Sequence, residues 1–248
     1  MHISFGIWDI ALLVVVTIQA TVLSYVHAPK WKAFVWSLPI PFTLASLALG
    51  RPIDATNVMG LNALLIYTHG VRLLHQRFRL PIVPVIIVCA LAYCAIGWRL
   101  SRALSADDTT FWITAAGTFG LGVVLYLATP HKEEPGHRSP LPVWVKLPAI
   151  AIVILFLIIV KNSLHGFMTM FPMVGVVAAY EARESLWTIG RQVPVLMMTT
   201  VPLMATSRLL YGNIGLGPSL LVGWVVFACA LAFFTRRMLA EAEKGLVE

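Results

Sequence analysis

The feature that most constrains this chain is a succession of long apolar runs that fills nearly all of its 248 residues. A helix needs about 20 apolar residues to cross roughly 30 Å of hydrocarbon. Nine runs come within a few residues of that length: 8–26, 33–50, 56–74, 81–99, 110–129, 143–160, 164–180, 186–209 and 216–235. The sequence therefore predicts an all-α fold, a polytopic transmembrane helical bundle of about nine spans.

The composition is typical of a chain that is solvated mostly by lipid. Hydrophobic residues make up 59% of the chain and charged residues 12%, whereas about 25% of the residues of a soluble domain are charged. The net charge of +7 is explained by loop lysines and arginines near a membrane surface. We therefore expect the lipid bilayer as a partner and no nucleic acid.

The boundary between the sixth and seventh runs is the least distinct. Lys161, Asn162 and Ser163 interrupt an apolar stretch that otherwise extends from 143 to 180. A single helix over this range would be about 57 Å long at 1.5 Å per residue, which is too long for one span. We expect a break there, which keeps the span count odd.

Basic residues cluster in four regions that an odd count places on one side of the membrane. They are Lys30 and Lys32; Arg72, Arg77 and Arg79; Lys132 and Arg138; and Arg236, Arg237 and Lys244. Cytoplasmic loops carry the excess of lysine and arginine, so we expect a cytoplasmic C-terminus and an external N-terminus. The first run lacks a basic leader and a small-residue cleavage site, so we expect it to be retained.

Two segments of the chain are similar, with an offset of 130 residues. The segments are LPIPFTLASLALGRPIDATNVMGLN (38–62) and MTMFPMVGVVAAYEARESLWTIGRQ (168–192). This offset aligns Asp54 with Glu184, Gly60 with Gly190 and Asn62 with Gln192, and an offset of 131 aligns Pro41 with Pro172. Because the offset contains five spans, an odd number, the second copy would be inverted relative to the first.

The repeat predicts a 4+1+4 arrangement of spans. The first four-span repeat would occupy 1–104, a linking span and cytoplasmic loop 105–140, and the second repeat with a short cytoplasmic tail 141–248. Inverted repeats are found in many secondary transporters, where substrate sites form at discontinuous helices. Prolines within the runs mark candidate breaks: Pro39, Pro41, Pro172, Pro194 and Pro202.

Ionisable residues inside membrane spans are expensive and mark candidate functional sites. The repeat singles out Asp54 and Glu184 as a candidate proton-coupling pair. Arg191 stands two turns after Glu184 if a helix begins there, and His165 would share a helix face with Lys161. The full set of substrate or proton-binding candidates is Asp54, Glu184, Glu181, Arg51, Arg191, Lys161 and His165. Contact with lipid headgroups at span ends is the alternative explanation for these charges.

The remaining motifs give no indication of catalysis. The seven histidines show no metal-binding spacing, and we expect no metal and no cofactor. Cys89, Cys94 and Cys229 lie in apolar runs and read as small packing residues. We find no hydrolase or nucleotide-binding motif, so we do not expect an enzyme.

The second half of the chain resembles the GlpM-like family of small bacterial inner-membrane proteins. The similarity covers roughly 164–236 and includes MFPMVGVVAAYEARESLWTIG and the closing apolar segment; a fainter likeness covers 34–98. Membership would imply a bacterial inner-membrane location and a transport role, without catalytic residues.

Two functions are compatible with the sequence. The first is a secondary transporter or flippase, proton-coupled through Asp54 and Glu184. Its substrate would be an anionic or phosphate-bearing small molecule or a lipid-linked one. The alternative is a non-transporting membrane scaffold subunit of an envelope or polysaccharide complex. The sequence leaves open the identity of the substrate and whether the protein forms a homodimer.

Overall fold

The computed structural model describes residues 6–130, 134 and 142–244, with only the backbone at 29, 30, 156–158, 160–163 and 235–244. The loop residues Lys132 and Arg138 lie outside the described residues, as do the side chains of Lys30, Arg236, Arg237 and Lys244. Within the described chain every regular element is a helix, as predicted.

The described part of the chain contains ten α-helices. They are α1 (Ile7–Tyr25), α2 (Pro29–Ser37), α3 (Ile40–Leu49), α4 (Ala55–Arg72), α5 (Ile82–Ala103), α6 (Asp108–Ala128), α7 (Val143–Leu164), α8 (Met173–Glu181), α9 (Leu186–Ile214) and α10 (Leu216–Lys244). A π-helical turn, Leu73–Arg77, continues α4, and a 3-10 helix, His165–Met170, precedes α8.

Six helical segments of the described chain are long and apolar enough to cross a membrane. They are Ile7–Tyr25, Trp31–Leu49, Ile82–Ala103, Asp108–Ala128, Leu186–Ile214 and Leu216–Phe234. The predicted spans at 56–74, 143–160 and 164–180 are not among them. Exposed large apolar side chains are numerous on α1, α5, α6 and α10, as expected of helices that face lipid. The chain therefore has the character of an integral membrane protein.

The core lies where α4 and α9 pack against each other. Both helices also pack against α6, and each forms a hairpin with the helix that follows it, α5 or α10. Four side chains at this contact are fully enclosed: Val58, Leu61, Val193 and Met197. The linking helix α6 thus contacts both halves of the chain.

Two helices are interrupted in the same way. Between α2 and α3, Leu38 has φ −67° and ψ 126° and Pro39 has φ −78° and ψ 35°. Between the 3-10 helix and α8, Phe171 has φ −56° and ψ 135° and Pro172 has φ −71° and ψ 55°. Proline lacks a donor N–H and disfavours helix in the residue before it, which explains both breaks. We refer to them as the Pro39 break and the Pro172 break.

This match changes the proline pairing that the sequence suggested. The counterpart of Pro172 is Pro39 in backbone conformation, and Pro41 lies inside α3. Pro194 and Pro202 lie inside a continuous α9 and form no break. The packing partners on the two sides also correspond, because α4 packs against the 3-10 helix and α9 against α2.

Candidate functional site

A small cavity lies between the two ends of the bundle, and both helix breaks border it. We call it the central cavity. Its volume is about 40 Å³, and both breaks line it. Trp36 and Phe42 line it from the first half of the chain, and Thr169 and Thr200 from the second. No acidic or basic side chain of the described residues contributes to its lining.

One hydroxyl group at the central cavity lacks a partner. Thr200 is fully buried, and its Oγ1 makes no hydrogen bond with the described residues. The neighbouring Thr199 differs, since its Oγ1 donates to the carbonyl of Val195 at 2.9 Å. A buried polar atom without a partner is costly and calls for an explanation. Thr200 was not among the residues singled out in the sequence.

A second polar cluster, the Asp54 end, closes one side of the bundle. Asp54 caps α4: its Oδ1 accepts hydrogen bonds from the amide of Thr56 at 2.8 Å and from the Thr56 hydroxyl at 2.5 Å. The same Thr56 hydroxyl accepts from the amide of Gly166 at 3.0 Å, and Asn57 donates to Thr169 at 3.0 Å. The cap of α4 is therefore bonded to the 3-10 helix of the other half.

Three predicted residues come together at the Asp54 end. Arg51 Nη1 lies 3.0 Å from His165 Nδ1, and both residues line a recess of about 20 Å³ with Asp54. The expected relation between His165 and Lys161 was wrong, because α7 ends at Leu164 and His165 has a φ of 49°. The side chain of Lys161 lies outside the described residues.

Arg208 adds a further connection at this end. It donates to Asp108 Oδ1 at 2.7 Å and to the carbonyl of Ile53 at 2.5 Å. This arginine of α9 thereby joins the loop before α4 to the start of α6. The Asp54 end is thus built from both halves and from the linking helix.

The opposite side of the bundle, which we call the Glu181 end, holds a buried ion pair. Glu181 is 1% exposed, and its Oε1 lies 2.7 Å from Lys146 Nζ. Lys32 is fully buried and donates from Nζ to the backbone carbonyl of Glu181 at 2.8 Å. The Lys146 ammonium also lies 5.0 Å from the centroid of the Tyr25 ring, a favourable cation–π distance. Residues of both halves therefore meet here as well.

The long loop before α7 also contacts the Glu181 end. Glu134 Oε2 accepts hydrogen bonds from the amide and the hydroxyl of Thr188, at 2.7 and 2.9 Å. Ser185, at the N-cap of α9, makes no capping hydrogen bond. Glu134 thus satisfies a free amide that the local cap leaves open, and its charge lies at the positive end of α9. Arg72 stacks 4.4 Å above the Trp187 ring beside it.

Glu184 and Arg191 lie on either side of the start of α9. Glu184 is exposed in the turn before Ser185, while Arg191 is half-buried in α9. The shared-face prediction was wrong, because α9 begins at Leu186 and Glu184 therefore precedes the helix. The N-cap counterpart of Asp54 is Ser185, one residue beyond the position that the sequence alignment gave.

Sequence reasoning missed Lys146, the ion-pair partner of Glu181. A usable signal was present: a lone lysine four residues into an apolar run requires a partner when it is buried. No group of three or more potential metal ligands occurs among the described residues. Comparison of the chain with protein-family models, with curated proteins and with solved structures found no match.

Proposed function

We propose that this chain is a secondary transporter of the bacterial inner membrane, built from two inverted four-span halves joined by α6. The observation that carries the proposal is the pair of breaks at Pro39 and Pro172, which share one backbone conformation and border one cavity. Discontinuous helices that meet between inverted repeats are typical of transporter substrate sites.

Contacts along α4 support a full crossing by this helix. Its N-terminal end is held through Ile53 by Arg208 of α9, and its C-terminal Arg72 stacks on Trp187 of α9. Residues 187 and 208 are about 31 Å apart along a helix that rises 1.5 Å per residue. Since α9 is long and apolar enough to span a membrane, α4 covers a comparable depth beside it.

Contacts of α7 and α8 support two further crossings. Near its start α7 reaches the Glu181 end through Lys146, and after its last residue His165 contacts Arg51 at the Asp54 end. The 3-10 helix and α8 then return to the Glu181 end, where Lys32 contacts Glu181. Together with the six candidate spans, these three segments make nine crossings. An odd count puts the termini on opposite sides, the N-terminus outside.

The contacts at the two ends of the bundle explain how such a protein would alternate between opening to one side of the membrane and opening to the other. Bonds between the halves close the central cavity at the Asp54 end, through Thr56 and Gly166, and at the Glu181 end, through Lys32 and Glu181. In this conformation bonds between the halves therefore hold both ends of the bundle. Opening one end would break one set of these bonds while the other set holds.

The coupling residues are part of the same proposal. Asp54 and Glu184 as a proton-coupling pair stay a prediction from the sequence. Glu181 has a stronger structural basis, because its carboxylate is buried against Lys146 and would be exposed to water when this end opens.

Thiol accessibility tests the transporter against the scaffold alternative. We would replace the three native cysteines, introduce Thr200→Cys, and treat right-side-out and inverted vesicles with a membrane-impermeant thiol reagent. A transporter should be labelled from both sides as it alternates. The control is Ile113→Cys, on an exposed apolar position of α6 that should stay unlabelled in lipid. A scaffold with a permanently closed interior would leave Thr200→Cys unlabelled from both sides.

A further inference from the structure

We propose that the central cavity binds a small monovalent anion of the size of a halide or nitrate. This inference rests on the proposed function, since it names the substrate class of the same site. It is carried by three features of the cavity: the helix ends that face it, the partnerless hydroxyl of Thr200, and its size and lack of charged side chains.

Two helices begin at the central cavity. The Pro39 break opens α3 and the Pro172 break opens α8, and residues of the first turn of each line the cavity, among them Phe42 and Val174. The first amides of a helix have no acceptor within that helix. The first turn of α8 begins directly after the Pro172 break, so its leading amides are of this kind. The free donors and the positive ends of two helix dipoles favour a negative charge between them.

Thr200 supplies an independent indication of a ligand. Thr200 lines the cavity, and its buried hydroxyl has no hydrogen-bond partner among the described residues. A hydroxyl can donate to an anion, and such a charge-assisted bond is about twice as strong as a neutral one. A bound anion would satisfy the hydroxyl and the free amides together.

The lining also limits the charge of the ligand. Its described residues include no carboxylate and no lysine or arginine. A cation would meet two positive helix ends with no compensating acid. A multivalent anion would lose its hydration without gaining a compensating cation. A monovalent anion suits helix ends that together carry roughly one elementary charge.

The volume sets an upper limit on the size of the ligand in this conformation. About 40 Å³ corresponds to roughly three water-sized spheres. A halide, nitrate or formate ion fits this space, whereas a phosphate ester or a lipid-linked sugar does not. The substrate range that the sequence suggested is thereby narrowed to its small anionic members.

Equilibrium dialysis of the purified full-length protein with radiolabelled chloride tests the proposal. We expect saturable binding that unlabelled nitrate displaces and gluconate, which is too large, does not. Thr200→Val keeps the shape of the side chain and removes the hydroxyl, so its affinity should fall by about tenfold or more. Thr200→Ser should restore most of the affinity.

Thr199→Val is the matched control. Thr199 is buried beside Thr200, but its hydroxyl already bonds to Val195. The Thr199→Val variant should therefore bind chloride like the wild type. Cooperative thermal unfolding in gluconate checks that each variant is folded. There Thr200→Val should be no less stable than Thr199→Val, because it removes a hydroxyl that has no partner when no small anion is bound.

The outcomes separate this inference from the proposed function. Equal loss of chloride affinity in both valine variants, or full affinity in Thr200→Val, would overturn the cavity as the anion site. Absence of any saturable chloride or nitrate binding would overturn the substrate class. In either case two-sided labelling of Thr200→Cys would leave the transporter proposal standing.

Discussion

Lys146 Nζ and Glu181 Oε1 lie 2.7 Å apart, with side-chain exposures of 5% and 1%. The pair joins the start of α7 to the end of α8, and Lys32 of α2 donates to the backbone of the same glutamate. Two lysines thus enter a largely apolar environment around one carboxylate. Removing one partner of a buried pair leaves an uncompensated charge, which is the costly case.

We therefore expect Glu181→Gln to destabilise the protein by about 3–5 kcal/mol. The exposed Glu184→Gln provides the control and should change stability little. Thermal unfolding in a fixed detergent ranks the three proteins. A Glu181→Gln variant as stable as the wild type would contradict the role of the pair, and combining it with Lys146→Met should recover part of the loss.

The cap of α4 gives a second prediction. Asp54→Ala should cost about 1 kcal/mol, whereas Asp54→Asn should cost much less because asparagine caps equally well. Ser185→Ala at the N-cap of α9 should be nearly neutral, since this serine makes no capping hydrogen bond. Similar losses for the two alanine variants in chemical unfolding would count against this difference between the caps.

The Asp54→Asn variant also tests coupling. It keeps the shape of the side chain and cannot carry a proton. If Asp54 couples transport to protons, substrate flux through the Asp54→Asn variant in proteoliposomes should no longer follow an imposed pH gradient. The variant should still be folded. Unchanged gradient-driven flux would leave Asp54 with the capping role alone.

Gly166 provides a third prediction, because it lies against α4 without room for a side chain. A Cβ at this position would approach the backbone nitrogen of Asn57 to 2.6 Å and would clash with the Thr56 hydroxyl. Gly166→Ala should therefore cost about 1–3 kcal/mol through overpacking and loosen the Asp54 end. Gly120→Ala in α6, where a Cβ meets nothing within 4 Å, should be neutral or slightly stabilising.

Limited proteolysis gives a second measure of the Gly166 variant. Cleavage in the loop between α3 and α4 should be faster in Gly166→Ala than in Gly120→Ala. Equal cleavage rates together with equal unfolding midpoints would show that the 3-10 helix does not depend on this contact.

The fourth prediction concerns pH. Hydrogen bonds from the Ser105 hydroxyl and from the Thr110 amide lower the pKa of Asp107, in the loop before α6, below its ordinary value. A carboxyl whose pKa is lower in the folded state stabilises the fold above its unfolded pKa and loses that contribution as the pH falls through the folded pKa. The unfolding midpoint of the wild type should therefore fall between neutral and acidic pH. The midpoint of Asp107→Asn should fall less over the same range. Parallel curves for the two proteins would refute the link.

Much of the helical architecture could be predicted from the sequence. The apolar runs placed most helix ends within a few residues, because the length of a membrane-crossing helix is set by hydrocarbon thickness. The predicted runs that ended at 50 and 180 came within one residue of the ends of α3 and α8. The break after Leu164 was expected from the interruption at 161–163, although its position was not.

The polar contacts could be predicted far less well. Arg51, Asp54 and His165 were all candidates from the sequence, yet nothing in their spacing indicated that they share one recess. Glu184 and Arg191 were paired by an assumed helix that begins two residues later. Thr200 was overlooked because a hydroxyl becomes unusual only when its surroundings are known, whereas the signal for Lys146, a lone lysine in an apolar run, was present and missed.

The sequence by itself determined that the chain is a helical membrane protein, since so apolar a composition leaves no other stable environment for the backbone and side chains. It also marked the prolines at which helices could break. Only the tertiary structure decided that two of these breaks share one conformation and face one cavity, and which residues close each end. The reason is physical: helix formation depends on nearest neighbours along the chain, whereas the cavity and the hydrogen bonds at its two ends depend on residues more than a hundred positions apart, such as Lys32 and Glu181.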